Sequence, residues 1–575
     1  MKLYWFPVLL ASVISLAAKG QQSRFEKTKG AETATYFEAI EWYKKLDQVS
    51  QKVMVRAMGS TDAGYPLHLV LVSNENNPGI EQWKKAGKII ILINNGIHPG
   101  EPDGIDASML LVRDIALNKV KLPSNVALAF IPVYNIGGSL NRNGFSRVNQ
   151  NGPLEYGFRG NSQNLDLNRD FTKCDSKEAR SFTEIFHLLD PDILVDNHVS
   201  DGADYQHTMT LITTQYDKLG KDLGGWLKKT FEPAVYSNMS GKGWDMAPYV
   251  DFEKTGAEMT MQMFYDPPRY SSGFAALFQT IGFIPETHML KPYKDRVRST
   301  YDLMVSLAEM AGKHAREFRS LRVQAREAIK KQQVFPLSWR IDTSSNSQVT
   351  FQGYEQAFKI SAATGLQRMF YDRTKPYSKK VRYFDLFQPV NFADKPRAYL
   401  VPQGWHAVID LLKLNKVVYR QLKHDTVLEV SAYRIDDYKT SQRAYEKHHK
   451  NSGVKVTAVN QKITFLKGDY YIPLDQAANR YLVEMLEPTG DDSFFAWNFF
   501  DAILQQKEGY SDYRWEDVAA DVLSKKPALQ DELAKKKASD SAFARNAPAQ
   551  LDFIYKRSPY YEPAHLRYPV FRLLQ

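Results

Sequence analysis

Residues 88–117 read KIIILINNGIHPGEPDGIDASMLLVRDIAL. The run begins with seven residues that are almost all apolar, which is typical of a strand buried on both faces of a sheet. Residues 103–117 then place their apolar side chains at helical spacing. Gly and Pro between the two patterns indicate a tight turn. The stretch therefore predicts a buried strand that passes through a short turn into a helix, which is the repeating unit of an α/β domain.

The same alternation continues on both sides of this unit. Apolar patterns predict strands at 53–58, 67–72, 126–134 and 193–196, and helices at 34–47 and 176–189. Strands that alternate with helices favour an α/β fold. We therefore expect a mixed, mostly parallel sheet flanked by helices.

The pattern changes after a long, charge-rich helical stretch at 295–331. Short strand-like runs separated by Gly, Pro and Asp follow, and the last of them give way to a helical pattern at 497–538; the runs lie at 398–401, 427–433, 463–465 and 470–472. A chain of 575 residues exceeds what one core usually supports. The predicted division is an α/β domain at 21–310, a helical linker at 311–345 and a β-rich domain with a helical end at 346–575.

The N-terminus has the features of a signal peptide over residues 1–20. Lys2 precedes an uncharged apolar run at 3–17, and small residues stand at positions 18 and 20. A buried helix or a membrane anchor is the alternative, but the run is too short to span a bilayer comfortably. We therefore predict export to the periplasm or the exterior, with no integral membrane span in the mature chain.

Charge and cysteine content exclude several classes of function. The formal charge is +10, but the lysines are scattered, which indicates a solvated basic surface, and no nucleic-acid-binding module is present. Cys174 is the only cysteine, so no intramolecular disulfide can form, which fits a bacterial exported protein. A sulfur-rich metal site is excluded as well, and any transition metal would be held by His and carboxylate ligands.

A His-x-x-Glu pair, His98 and Glu101, directly follows the predicted strand at 88–94. Pro and Gly at the two middle positions favour a turn that brings an imidazole nitrogen and a carboxylate oxygen to one ion. His314 and Glu317 have the same spacing but lie in the long charged helix, where we interpret them as a solvated face. Because ligands in open α/β sheets gather at the carboxyl ends of strands, only the first pair predicts a site.

His198 ends a second short apolar strand at 192–197. A lone histidine is usually structural, but this one repeats the strand-end placement of His98. Two histidines and one carboxylate, with a fourth position left to water, are typical of a catalytic zinc site. We therefore predict that one Zn²⁺ ion is bound by His98, Glu101 and His198.

Residues 165–171, which lie between these ligands, read LDLNRDF. The ordered set of His98-x-x-Glu101, Asp166-x-Asn168-Arg169 and His198 resembles the metallocarboxypeptidases of the carboxypeptidase A type, over roughly residues 30–300. The resemblance implies zinc-dependent hydrolysis of peptide bonds and removal of C-terminal residues. It further implies that Asp166 hydrogen-bonds the first zinc histidine and that Asn168 and Arg169 grip the terminal carboxylate of the substrate.

The resemblance also implies an arginine that stabilises the oxyanion. Arg159 is the candidate, with Arg142 and Arg147 as competitors, and an ordinary surface salt bridge is the alternative role for Arg159. Tyr270 resembles the mobile tyrosine that closes over bound substrate, and Tyr265 competes for that role.

The general base should be a carboxylate at the end of a later strand. Glu286 ends the apolar run at 280–285 and matches the late glutamate of the family. Its alternative role is an ion pair with Lys291 or Arg296. Glu258 is the second candidate, in a Met-rich stretch that is less strand-like.

Asp170 departs from the family pattern, because many members carry Asn after the arginine. We expect this charge to alter the anion pocket. Relatives with the same metal motif cleave peptidoglycan stem peptides or deacylate amino acids. The deacylating relatives generally lack the Asn-Arg pair, so Asn168 and Arg169 favour a peptide or peptidoglycan-derived substrate. A non-catalytic peptide- or glycan-binding protein is the remaining alternative, which the three ligands and the base disfavour.

Overall fold

The computed structural model describes residues 21–255 and 258–574. The predicted signal peptide at 1–20 lies outside the described residues and stays a prediction. Within the described ranges, no helix has both the length and the apolar character that crossing a bilayer requires.

Eleven strands of the described chain precede the long helix, and nine of them build the main sheet. The eleven are β1 Val53–Ser60, β2 Pro66–Val72, β3 Ile89–Asn94, β4 Val126–Ile131, β5 Ile193–Asp196, β6 His198–Ser200, β7 Met209–Thr213, β8 Ala247–Pro248, β9 Phe252–Thr255, β10 Glu258–Gln262 and β11 Ile281–His288. In the described chain the sheet has nine strands in the order β1-β2-β4-β3-β5-β11-β7-β8, with β6 beside β11. Strands β3, β4, β5, β6 and β11 pair in parallel, whereas β1–β2, β2–β4 and β7–β11 are antiparallel. The predicted mixed, mostly parallel sheet is confirmed.

Helices cover both faces of this sheet. They are α1 Arg24–Lys27, α2 Tyr36–Val49, α3 Ile80–Ala86, α4 Asp103–Ala116, α5 Ile136–Leu140, α6 Lys177–Leu189, α7 Lys221–Trp226, α8 Glu232–Gly241, α9 Ser271–Ala276 and α10 Tyr293–Lys331. Ile89, Ile91 and Ile93 of β3 pack into one core with α2, α4 and α10. Ile90 and Leu92 pack into a second core with α6 and α9. Burial on both faces explains why this strand is apolar at consecutive positions.

The C-terminal region contains further sheets and a helical end. Its strands are β12 Val334–Ile341, β13 Ser347–Ile360, β14 Gln367–Phe384, β15 Phe387–Asp394, β16 Ala398–Val401, β17 Arg420–Gln421, β18 Thr426–Thr440, β19 Asn451–Phe465, β20 Tyr470–Pro473 and β21 Phe571–Leu573. Its helices are α11 His406–Leu414, α12 Asn479–Leu486, α13 Asp512–Lys525, α14 Pro527–Ser539, α15 Ser541–Ala544 and α16 Ala547–Tyr555. The sheets are β13-β14-β10-β9, β12-β15 and β17-β20-β16-β21-β18-β19. A β-rich region with a helical end is therefore present, as predicted.

The two regions share an apolar core. Phe278, which follows α9, stacks on Tyr481 of α12 with ring centroids 5.4 Å apart. Strand β10 pairs in parallel with β14, so one sheet combines strands from both regions. Helix α10 runs without interruption through residue 310. The exact boundaries at 310 and 345 stay a prediction.

The prediction of helix over 497–538 is wrong for its first part. Residues 497–511 contain only the 3-10 turn Asp501–Leu504, and the first α-helix of this end begins at Asp512. The side chains of Trp497 and Phe500 are fully buried. Because Asn498 between them has a left-handed φ of 66°, an irregular backbone turns both rings into the core.

The interface between the two regions makes the fold sensitive to acid. The ring of His187 on α6 packs edge-on against Phe278, and its Nε2 lies 3.1 Å from Asn415 Oδ1. Burial lowers the pKa of His187 from 6.5 to about 4. Between pH 6.5 and about 4, His187 therefore binds a proton in the unfolded chain but not in the folded chain. The free energy of unfolding falls as the pH drops through this range.

We expect the variant His187→Gln to lose this part of the pH dependence. Chemical denaturation at about pH 7 and about pH 4.5 should show that the wild-type chain loses about 2–3 kcal/mol more unfolding free energy than the variant over this interval. Equal losses in the two proteins would contradict the interpretation.

Candidate active site

The turn between β3 and α4 carries the first two predicted ligands. The Glu101 N–H donates to the carbonyl of His98 at 2.8 Å, which closes the turn. A side chain at Gly100 would meet Arg147 Cδ at 2.8 Å and the carbonyl oxygen of Gly157 at 3.1 Å, so glycine is required there. His98 and Glu101 are both buried. The Pro-Gly turn thus points imidazole and carboxylate to the same place.

The third predicted ligand arrives from the neighbouring strand end. His198 is buried at the start of β6, and its ring centroid lies 4.8 Å from that of His98. Ligand atoms of His98, Glu101 and His198 all lie within 4.8 Å of one another. The structure therefore brings together the three residues that the sequence predicted as ligands.

The donor set fits a divalent metal ion. His98 Nε2 is 2.9 Å from Asp166 Oδ1, whereas its buried Nδ1 faces Glu101 Oε1 at 3.3 Å and has no hydrogen-bond partner among the described residues. His198 Nε2 is 3.2 Å from Asp196 Oδ2, and its Nδ1 faces Glu101 at 3.1 Å. Each imidazole is thus oriented by an outer carboxylate, an arrangement common to metal-ligating histidines. Two imidazoles and one carboxylate match a catalytic zinc site.

The role of Asp196 as the partner of the His198 ring was not predicted from the sequence. The signal was available, because residues two apart on a strand share a face and Asp196 stands two positions before His198. The carboxylate of Asp196 is buried and also accepts from Asn94 Nδ2 at 3.0 Å.

Electrostatics at the site favour ionised carboxylates. Burial would raise the pKa of Glu101, but Arg147 and His98 hold it well below its ordinary value. Burial would likewise raise the pKa of Asp166, and His98 and Arg159 lower it instead. Both groups therefore stay negatively charged.

The ligands line a cavity of about 370 Å³. The residues predicted to act in catalysis or to bind substrate line the same cavity, namely Arg159, Asn168, Arg169, Tyr270 and Glu286, whereas Asp166 lies behind His98. An apolar wall, which sequence reasoning missed, completes it with Ile212, Tyr249, Phe264 and Ile284. One cavity thus combines the three candidate metal-binding side chains, the arginine side chains, the Glu286 carboxylate and an apolar wall.

Glu286 lies on β11 directly beside His198 of β6. Burial raises the pKa of Glu286 to about 8. Neither alternative ion pair is found among the described residues: Lys291 donates to the carbonyl of Tyr205, and Arg296 donates to that of Gly152. Glu258, the second candidate for the base, has its side chain outside the described part of the structure.

The three candidate arginines occupy different environments. Arg159 Nε donates to Asp166 Oδ2 at 3.0 Å, and Arg147 donates to Glu101 Oε1 at 2.7 Å; both line the cavity. Arg142 instead donates to the backbone carbonyl of Glu155 at 3.1 Å and is not among the lining residues. Arg147 thus remains a competitor of Arg159 for the oxyanion role.

Asn168 and Arg169 lie on the 3-10 turn Leu167–Arg169, which the Asp166 side chain caps by accepting from Asn168 N–H at 2.9 Å. The guanidinium of Arg169 packs 4.5 Å from the ring centroid of Tyr270. Tyr265 is hydrogen-bonded to Asp491 and is not among the residues that line the cavity. Of the two tyrosines, only Tyr270 is placed to contact a ligand.

Asp170 does not face the anion pocket, which corrects the expectation drawn from the sequence. Its carboxylate is fully buried and accepts from Lys173 Nζ at 2.8 Å. It also accepts from the backbone N–H and the hydroxyl of Ser176, at the start of α6. The charge is compensated there and belongs to the packing behind the site.

The second His-x-x-Glu pair lies on α10, as predicted, but the predicted solvated face is wrong for His314, whose side chain is 18% exposed and packs edge-on against Trp226. His314 Nδ1 is 3.7 Å from Glu317, whose side chain is 56% exposed. No third ligand joins them in the described chain. The pair supplies a matched control for the site residues.

No protein-family model matches the chain. Proteins named carboxypeptidase 2 are similar to it: that of Trichophyton rubrum is 21% identical over 429 residues, which cover 71% of this chain and 73% of the relative. The Trichophyton tonsurans protein of the same name is 21% identical over 425 residues, with the same coverage. The crystal structure of carboxypeptidase A from Helicoverpa armigera aligns with a TM-score of 0.38 and 13% identity, covering 54% of this chain and 81% of that one. Over about 70% of its length the chain is thus similar to proteins named carboxypeptidase 2, and its cavity brings together His98, Glu101 and His198, which could hold a metal ion.

Proposed function

We propose that the chain is a zinc-dependent peptidase that removes residues from the C-terminus of peptides. One observation carries the proposal: a single cavity holds the three metal ligands, the carboxylate of Glu286 and the Asn168-Arg169 pair. The similarity to proteins named carboxypeptidase 2 supports it.

A zinc ion held by His98, Glu101 and His198 would lower the pKa of a bound water and polarise the scissile carbonyl. Glu286 takes a proton from the attacking water and delivers it to the leaving amine. Burial raises the pKa of Glu286 above its ordinary value, which makes its carboxylate a stronger proton acceptor than that of an exposed glutamate. Arg159 faces the same cavity and stabilises the negative charge that develops on the carbonyl oxygen.

Asn168 and Arg169 bind the terminal carboxylate of the peptide. A guanidinium presents a planar pair of N–H groups that matches a carboxylate. Tyr270 stacks on Arg169 and closes the cavity over the bound residue. The apolar wall receives the side chain of the residue that is released.

Zinc is the proposed ion because two imidazoles and one carboxylate, with a fourth position left to water, form the donor set of catalytic zinc sites. The apolar run at 3–17 supports action after export. A peptide, free or derived from peptidoglycan, is the proposed substrate.

Replacing Arg169 by Met should separate binding of the terminal carboxylate from the chemical step. Loss of a charged hydrogen-bond donor costs about 1.5–3 kcal/mol, so we expect kcat/KM for a peptide with a free C-terminus to fall by about 10–100-fold, mainly through KM. Steady-state kinetics on paired free and C-terminally amidated peptides would measure this. Arg545, an exposed arginine of the helical end, provides the control R545M, which should behave as wild type.

The amidated peptide tests the proposed function itself. Wild-type protein should hydrolyse it far more slowly than the free peptide. Equal hydrolysis of both peptides would exclude a carboxypeptidase.

A further inference from the structure

A loop of the C-terminal region contacts the segment that carries the carboxylate-binding pair. Hairpin loop 441–450 joins β18 to β19, and the binding segment is residues 166–175. Sequence analysis assigned no chemistry to this part of the chain. The loop contacts both ends of the binding segment, and through Asp492 it is also connected to Arg269, the residue before Tyr270.

The first contact is a hydrogen bond at the start of the binding segment. Glu446 Oε2 accepts from the backbone N–H of Asp166 at 2.8 Å. A tight turn presents this carboxylate, because Tyr445 N–H donates to the carbonyl of His448 at 2.7 Å. Glu446 and Lys447 both have left-handed φ values, of 48° and 74°, which are uncommon for residues with a side chain. The loop therefore holds a defined shape that aims Glu446 at the binding segment.

The second contact is at the end of the binding segment. His448 Nε2 lies 2.8 Å from Asp175 Oδ2, and both side chains are largely buried. Asp175 also accepts from Lys173 Nζ at 2.8 Å, and Lys173 in turn donates to Asp170. Lys173 is fully buried, so its charge depends on these two carboxylates. A continuous chain of ion pairs thus links His448 to the residue next to Arg169.

The third contact involves Arg269, the residue that precedes Tyr270. Lys450 Nζ is 2.9 Å from Asp492, which also accepts from the backbone N–H and Nε of Arg269. The buried ring of Trp497 lies beneath this junction. Three cations lie over this ring. The distances to its centroid are 5.0 Å for Lys450 of the loop, 5.5 Å for Lys173 of the binding segment and 5.9 Å for Arg269.

We infer that hairpin loop 441–450 positions the carboxylate-binding half of the active site, with Glu446 and His448 as its positioning residues. The inference rests on the proposed function in one respect, that Asn168 and Arg169 bind the substrate. Neither Glu446 nor His448 lines the cavity, so both act through the binding segment. The C-terminal region is on this account an integral part of the active centre.

Glu446→Ala tests the inference most directly. Removal of the acceptor frees one end of the binding segment, and we expect KM for a peptide with a free C-terminus to rise about tenfold with kcat little changed. Glu446→Gln keeps an acceptor for the Asp166 N–H and should restore KM to within about threefold of wild type. A structural role elsewhere would not be rescued in this way.

His448→Ala should raise KM in the same manner, since it releases the other end. The adjacent His449 is the matched control, because it is exposed and its ring lies 2.9 Å from the backbone carbonyl of Ser441 in its own loop. His449→Ala should leave both constants unchanged. An unchanged KM in Glu446→Ala and His448→Ala, with wild-type activity present, would overturn the inference.

Hydrogen–deuterium exchange supplies a measurement that does not depend on activity. The amides of residues 166–176 should exchange faster in Glu446→Ala than in wild type and in His449→Ala. Faster exchange in a protein that hydrolyses no peptide would leave the positioning role intact and reject the proposed function. Unchanged exchange in an active protein would reject the positioning role alone.

Discussion

Replacing Glu286 by Gln is expected to lower kcat by about 10²–10⁴-fold, the usual contribution of a general acid–base group. Glutamine keeps the size and polarity of the side chain but cannot take up a proton. Glu286 is adjacent to His198 across two parallel strands, yet it is not one of the three clustered ligands. Metal content should therefore stay at the wild-type level. Steady-state kinetics together with elemental analysis of the purified variant would measure both quantities.

The control for this variant is Glu317→Gln on α10. Glu317 also follows the spacing of a metal motif, but it is exposed and far from the cavity lining. It should keep wild-type kcat and metal content. Normal turnover by Glu286→Gln would remove this residue from the role of base.

Strands were predicted well from the sequence where burial leaves a regular apolar pattern, and poorly where it does not. Strand β3 was predicted because both of its faces are buried, which leaves a continuous apolar run. Of the long strands, β18 and β19 were predicted only in part, and no specific run was predicted within β13 or β14. Their outer parts are exposed, with polar and charged residues interspersed, so the sequence there has no apolar run.

The proposed metal ligands could be predicted because each of them follows the end of a strand in the sequence. The loop that contacts the binding segment was not. Glu446 and Asp166 are 280 positions apart, and no local pattern links the two. Pairings of this kind depend on how separate sheets pack, which a single sequence does not encode in its spacing. Asp170 was expected in the anion pocket for a different reason: Lys173 is only three positions away, but the direction in which the Asp170 carboxylate turns depends on the folded backbone.

Replacing His198 by Ala is expected to abolish stable metal binding and, with it, activity. Only His98 and Glu101 would remain of the three clustered donors, and catalytic zinc sites use three protein ligands. Asp196→Asn should give a smaller effect. It leaves His198 in place but weakens the contact that orients the ring, and loss of such an outer partner lowers metal affinity by about 10–100-fold. Metal affinity, measured by competition with a chelator, should therefore fall further in His198→Ala than in Asp196→Asn.

His314→Ala completes this series, because His314 belongs to the second His-x-x-Glu pair and has no third ligand near it in the described chain. It should bind metal and hydrolyse peptide as wild type does. The order of metal affinity should thus be wild type equal to His314→Ala, then Asp196→Asn, then His198→Ala. A His198→Ala protein that retains one tightly bound ion would show that His198 is not a ligand. A loss of metal from His314→Ala would show that the second pair, and not strand-end placement, holds the ion.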